Sequence, residues 1–226
     1  MDLSWLMVGE QPWYRMFNTS TQLLGVVVAF MISYLGFKAY RLTRDKKYKY
    51  FFIGFFFMGA SFLANAVLNI IIQSGNIGYF LEKRYEPFIA PLFGGYYFLL
   101  IGMMLAYVSL AILYSGAGSS KNVGLFYFWA LVIGAYSFKE SVLFNTLCGM
   151  ILSFVVLYSF DKYRANQNKS TLLTYLAFFC LFLFHALVWL QQVMPVFLIV
   201  RQIILLLGLV MLLAPMLRIF YGRKKK

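Results

Sequence analysis

The stretch ASFLANAVLNIIIQSG, residues 60–75, decides the fold class because it is strongly apolar and yet contains regularly spaced polar side chains. It lies within a run from Tyr50 to Leu81 that has no charged residue. Polar side chains recur in it at every fourth position, at Ser61, Asn65, Asn69 and Gln73. Since a spacing of four returns to the same side of a helix, the stretch predicts an apolar helix with one polar stripe.

The composition of the whole chain indicates that lipid is its solvent. Of its 226 residues, 62% are hydrophobic and only 12% are charged, and the mean hydropathy is +0.78. Soluble domains carry roughly 25% charged residues. We therefore predict an integral membrane protein, in which each spanning helix needs about 20 mostly apolar residues.

Seven apolar segments, of which the fourth is marginal in length, predict an all-α bundle of seven transmembrane helices in a single domain, residues 1–226. The fourth segment is short, because it lies between Lys121 and Lys139. The predicted helices cover residues 21–40, 50–73, 91–114, 123–138, 141–160, 171–193 and 196–221.

The charges predict the orientation. If the amino terminus is outside, the inner loops hold fifteen basic residues against Asp45 and Asp161, and the outer side is balanced. The net charge of +13 then lies on one face, as the positive-inside rule requires. We predict a multi-pass protein of the cell membrane that attracts anionic lipids of the inner leaflet and does not bind nucleic acid.

A repeat relates the first three helices to the last three. FKAYRLTRDK (37–46) aligns with FDKYRANQNK (160–169), and LLIG (99–102) aligns with LLLG (205–208). The pattern predicts two parallel copies joined by the fourth helix, a 3+1+3 layout. Parallel repeats place a shared site between the two halves.

This layout resembles the broad group of rhodopsins, seven-helix receptors and 3+1+3 sugar or vitamin transporters. The passage YRLTRDKKYKYFFIGFFFMGASFL (40–63) is similar to seven-helix sensor regions of prokaryotic, especially archaeal, histidine kinases. That resemblance implies a sensor that signals through a separate partner. Covalent retinal is not expected, because the seventh helix has no lysine and its Arg201 cannot form a Schiff base.

Several polar residues fall at one depth in the outer half and are predicted to line a ligand pocket. His185 is the only histidine, and Asn145 opens the fifth helix at a similar level. Polar groups in a membrane are expected to face the bundle interior. The predicted ligand-binding residues are Asn65, Asn69, Gln73, Tyr96, His185, Trp189, Gln192 and Arg201.

The favoured hypothesis is a sensor or receptor that binds a small polar or amphipathic ligand. A small-solute transporter or channel using the same cavity is the alternative, although the first and fifth helices lack the kinking proline of the sugar transporters. A scaffold that only recruits a partner is the third possibility. No enzyme activity, metal or cofactor is expected, since the segments show no paired carboxylates, histidine pair, or nucleophile beside a base.

Overall fold

The computed structural model describes residues 12–73, 86–115, 120–137, 140–191, 194 and 196–222. These residues form seven α-helices, and no β-strand occurs among them. The helices are α1 (Pro12–Thr43), α2 (Lys46–Gln73), α3 (Glu86–Ser115), α4 (Ser120–Tyr136), α5 (Ser141–Asn166), α6 (Lys169–Gln191) and α7 (Val196–Gly222). The all-α class and the seven helices predicted from the sequence are confirmed.

Six of the helices are long and apolar enough to cross a membrane, which indicates a multi-pass membrane protein. α4 is the exception: its 17 residues span roughly 26 Å at about 1.5 Å per residue. Several helices continue past the predicted apolar segments, as α1 does by beginning at Pro12. Backbone hydrogen bonds extend into polar sequence, whereas the predicted segments were limited to apolar residues.

Consecutive helices run antiparallel and close into a ring. Contacts join α1 to α2, α2 to α3, α5 to α6 and α6 to α7, and α7 packs back on α1. α3 and α5 run parallel and complete the ring, while α4 packs against α3 from outside. The "amino-terminal end" of the bundle is where α1, α3, α5 and α7 begin. The "carboxy-terminal end" is where they finish.

Small residues set the close helix approaches. A Cβ added at Gly102 of α3 would fall onto the Ser61 hydroxyl of α2. A Cβ at Gly208 of α7 would meet the Ala177 backbone oxygen of α6 at 3.0 Å. Missing side chains at such positions let helix backbones approach each other in membranes.

The two shortest junctions, α1–α2 and α5–α6, are built alike. Arg44 and Gln167 each adopt a positive φ, 57° and 42°. The Arg44 N–H donates to the Tyr40 carbonyl, and the Gln167 N–H donates to the Tyr163 carbonyl. A side-chain oxygen just before each following helix accepts a backbone N–H from two residues further on. Asp45 Oδ1 accepts from the Lys47 N–H, and Asn168 Oδ1 accepts from the Ser170 N–H.

Candidate functional site

His185 is the centre of a polar cluster inside the bundle and is only 1% exposed. Its Nδ1 lies 2.8 Å from Asn145 Oδ1, and its Nε2 lies 2.7 Å from the Tyr107 hydroxyl. Because an amide oxygen can only accept, Nδ1 carries the proton and Nε2 accepts from the tyrosine. This hydrogen-bond pattern assigns the neutral tautomer of the imidazole.

Arg201 of α7 joins the same cluster through Asn145. Its Nη2 donates to Asn145 Oδ1 at 3.2 Å, so this oxygen serves both His185 and Arg201. Its Nε donates to the Phe184 carbonyl at 2.8 Å, and its Nη1 donates to Gln191 Oε1 at 2.9 Å. The guanidinium also sits over the Phe184 ring, 4.2 Å from the centroid. Helices α3, α5, α6 and α7 are thus connected by one network.

The charge of Arg201 is met by neutral oxygens. All three of these hydrogen bonds end on carbonyl or amide oxygens rather than on a carboxylate. The acidic side chains that the structure describes, Asp45, Glu140 and Asp161, are exposed. A guanidinium among apolar helices is energetically costly, and such residues usually face a cavity or a functional partner.

Helical periodicity explains why these residues point inward. The buried face of α6 carries Ala177, Leu181 and His185 at intervals of four. The buried face of α5 carries Asn145, Cys148 and Leu152 at intervals of three and four. Each polar residue therefore takes the place of an apolar one on a core-facing stripe.

Aromatic rings enclose the histidine. Tyr107, Phe184 and Phe144 present edges or faces to the imidazole, with ring centroids 5.1, 4.9 and 6.4 Å away. Their planes are tilted by 88°, 82° and 71° to the imidazole, which is the edge-to-face arrangement. This packing holds the imidazole orientation that the two hydrogen bonds require.

A second polar group lies between α1 and α7, next to the first. Gln202 donates from Nε2 to Asn18 Oδ1 at 2.9 Å, while its buried Oε1 has no hydrogen-bond partner among the residues that the structure describes. Gln22, one turn beyond Asn18, also has a buried Oε1 for which the described residues supply no donor. Tyr14 lies beside both Gln202 and Arg201, and burial raises the pKa of its hydroxyl. Within the described part of the chain, two buried amide oxygens thus have no donor, and one of them belongs to Gln202, the neighbour of Arg201 in α7.

Of the residues predicted from the sequence to bind a ligand, the structure brings His185 and Arg201 together. Asn65 and Asn69 are half-buried on α2, and no hydrogen bond among the described residues joins them to the cluster. Asn69 Nδ2 is buried, and no described residue accepts a hydrogen bond from it.

The structure does not show the other four predicted residues in the His185–Arg201 cluster. Tyr96 is half-buried in α3, and Trp189 is 54% exposed. The Gln73 side chain and Gln192 lie outside the described residues. The ligand-binding role of all eight residues stays a prediction.

Tyr107 and Gln191 contribute to the cluster although they were not among the predicted site residues. Tyr107 is one of 17 tyrosines and sits in an apolar stretch that gives no sign of its role. The spacing from His185 pointed to Gln192, yet Arg201 contacts the neighbouring face of α6, which presents Phe184 and Gln191.

No cluster of three or more metal-ligating side chains occurs in the part of the chain that the structure describes. Cys148 is buried against Met104, with its Sγ 3.6 Å from the thioether sulfur. This is the packing of a small apolar side chain.

Known proteins were compared with this chain by sequence and by structure. No family model matches this chain, and no curated protein or solved structure matches it significantly. The resemblance to histidine kinase sensor regions therefore depends on the sequence pattern alone.

Proposed function

We propose that this protein is a cell-membrane sensor of the receptor type, which binds a small ligand beside Arg201 and signals through a partner protein. The observation that carries the proposal is the partly buried guanidinium, held by neutral oxygens of α5 and α6. Charged side chains within spanning helices are expensive and commonly mark functional sites. A catalytic role is not proposed.

The ligand that fits is a small polar or amphipathic molecule with an anionic group and at least one hydrogen-bond donor. A guanidinium has five N–H donors, and the three hydrogen bonds that Arg201 makes to described residues use one donor on each of its nitrogens, which leaves a second on each terminal nitrogen. A carboxylate can accept both in a bidentate pair. The buried acceptors on Gln22 and Gln202 would take the ligand's donor.

The shared oxygen of Asn145 gives a route for the signal. A ligand that draws the guanidinium towards itself weakens the bond from Arg201 to Asn145 and leaves that oxygen to His185. His185 in turn holds Tyr107 in the middle of α3. A ligand shifts a conformational equilibrium when it binds one arrangement better than the other.

The proposal places the amino terminus outside the cell. Fifteen basic residues and two acidic ones belong to the carboxy-terminal end of the bundle in this arrangement, which supports a cytoplasmic location for that end. The ligand would then enter from the outer side.

The proposal also includes the 3+1+3 repeat. Its support is that Arg44 and Gln167, which the repeat aligns, both have positive φ and equivalent hydrogen bonds. The guanidinium of Arg41 lies 5.9 Å from the Phe37 centroid, and that of Arg164 lies 6.0 Å from the Phe160 centroid. The aligned glycines Gly102 and Gly208 each contact the helix before their own.

A transporter is the second candidate, favoured by Asn69. Its buried Nδ2 has no acceptor in the described part of the structure, as expected of a side chain that lines a polar path along α2. Uptake of a radiolabelled ligand into proteoliposomes separates the two functions. If uptake occurs and Asn69→Leu abolishes it, the protein is a transporter and the sensor proposal is wrong.

A thermal-shift screen with small carboxylates, including amino acids and short fatty acids, tests the binding site. A ligand at a hundredfold excess over its Kd stabilises the folded state by about 2.7 kcal/mol. We expect at least one carboxylate to raise the Tm of the wild type and not that of Arg201→Gln. Arg218→Gln, which changes an exposed arginine on the same helix, should respond like the wild type. The proposal fails if no carboxylate raises the Tm or if Arg201→Gln responds equally.

A further inference from the structure

An open cleft lies on the membrane-facing side of α1 and α2, far from the Arg201 cluster. The "α1–α2 cleft" has a volume of about 320 Å³ and is lined by Phe30, Ser33, Tyr34, Phe37, Phe52 and Phe56. Its volume falls at the lower end of the range for small-molecule sites, about 300–1,000 Å³. Five of its six lining side chains are aromatic, so its surface is almost entirely apolar.

The cleft is a built feature of the helix pair rather than a loose gap. The Ser33 hydroxyl donates to the Phe52 carbonyl at 3.2 Å and holds the two helices together at its floor. Aromatic pairs form the walls. The ring centroids of Phe37 and Phe52 are 5.3 Å apart, and those of Phe30 and Phe56 are 5.9 Å apart. Tyr34 is 63% exposed and Phe56 is 45% exposed, so both are available to a bound molecule.

Both walls of the cleft continue into basic residues at the carboxy-terminal end. On α1, Arg41 follows Phe37 by four positions, and its guanidinium stays 5.9 Å from that ring's centroid. On α2, Lys49 precedes Phe52 by three positions. Residues three or four apart share a helix face, so Arg41 and Lys49 lie above the mouth of the cleft.

The surrounding junction is strongly positive. Residues 38–49 contain six basic side chains and one acidic side chain, all exposed. The single carboxylate, Asp45, accepts the Lys47 backbone N–H and is directed at the start of α2. An apolar cleft that ends under such a cluster matches a molecule with an acyl chain and an anionic head.

We propose that the α1–α2 cleft binds an anionic phospholipid, with an acyl chain between the aromatic walls and its phosphate between Arg41 and Lys49. Basic residues close to a membrane surface each favour anionic lipid by about fivefold. This site is independent of the ligand site at Arg201.

The α5–α6 junction provides a matched control. Arg164 lies over Phe160 as Arg41 lies over Phe37, with 6.0 Å to the ring centroid. On the α5 side, however, Ser153, Val156 and Leu157 stand where the repeat alignment has Phe30, Ser33 and Tyr34. Neutralising Arg164 and Lys169 therefore removes the same charge without touching the α1–α2 cleft.

Native mass spectrometry of the full chain in detergent, with dioleoyl phosphatidylglycerol or dioleoyl phosphatidylcholine added, tests the proposal. The wild type should retain one phosphatidylglycerol at least tenfold more strongly than phosphatidylcholine. Arg41→Gln with Lys49→Gln should lose this preference, whereas Arg164→Gln with Lys169→Gln should keep it. Equal retention of the two lipids by the wild type, or equal losses in the two double variants, would overturn the proposal.

A second variant tests the acyl chain separately from the charge. Tyr34→Ala with Phe56→Ala removes two exposed walls and leaves all basic residues in place, so the fold should persist. Phosphatidylglycerol retention should fall several-fold. Unchanged retention, with helix content unchanged by circular dichroism, would show that the charges alone hold the lipid and that the cleft does not.

Discussion

At the scale of single residues, Asn145 connects the two most polar side chains of the cluster, His185 and Arg201. One oxygen atom accepts from His185 and from Arg201, and the residue is 7% exposed. Losing a buried hydrogen-bond acceptor leaves its donors unsatisfied, and this costs most when a donor is charged. The cluster is therefore expected to be sensitive to this position.

Replacing Asn145 with leucine should destabilise the protein. The substitution keeps the volume but leaves His185 Nδ1 and Arg201 Nη2 without their shared acceptor, at an expected cost of about 1–3 kcal/mol. Unfolding in detergent with increasing denaturant measures the change. Thr146→Val is the control, since that hydroxyl donates to the Val142 carbonyl of its own helix and to no other described residue. Equal stability of Asn145→Leu and the control would show that the shared oxygen contributes nothing.

The sequence could predict that polar residues would enter the bundle, but not which of them would meet. His185 and Arg201 were predicted because a histidine and an arginine are conspicuous in apolar helices. Tyr107 was not, because a tyrosine in an apolar segment is common and its hydroxyl partner lies 78 positions away. Such pairings depend on how each helix rotates about its axis, which the sequence does not specify locally.

At the scale of helices, apolar length was sufficient to locate all seven elements. Runs of apolar residues bounded by charge have few alternatives to a helix in lipid, since every backbone group must be satisfied internally. The helix ends were harder to predict from the sequence, because helices such as α1 and α5 continue through polar residues.

The contact of α2 and α3 at Gly102 gives a prediction at this scale. Gly102→Ala places a methyl group on the Ser61 hydroxyl and should cost about 1–3 kcal/mol through overpacking. Adding Ser61→Ala removes the obstructing oxygen and should restore most of the loss. Thermal unfolding of the single and double variants measures both effects.

Gly124→Ala controls for the effect of alanine on helix propensity. A Cβ at Gly124 of α4 meets nothing within 4 Å, so this variant should be as stable as the wild type or slightly more stable. If Gly102→Ala also proved neutral, the close packing of α2 on α3 at this point would be refuted.

At the scale of the whole molecule, charge asymmetry leads to a prediction of orientation. Met194 is exposed between α6 and α7, and Asn166 is exposed at the end of α5. With the amino terminus outside, a membrane-impermeant maleimide should label Met194→Cys in intact cells and Asn166→Cys only after permeabilisation. Wild-type protein, whose Cys148 is buried and Cys180 half-buried, gives the background. The reverse labelling pattern would invert the predicted topology.

The ring of six helices places the Arg201 cluster and the α1–α2 cleft in different parts of the molecule. The cluster joins α3, α5, α6 and α7, whereas the cleft faces the membrane between α1 and α2. Variants at one site should therefore leave binding at the other unchanged. This separation allows the ligand proposal and the lipid proposal to fail independently.

The central claim is that Arg201 binds the anionic group of a ligand, and a density map of the protein with a stabilising carboxylate tests it most directly. The account predicts ligand density within hydrogen-bonding distance of the two terminal nitrogens of Arg201, with a donor near Gln22 or Gln202. A map in which side chains fill that space, while Arg201 keeps only its contacts to Phe184, Gln191 and Asn145, would contradict it.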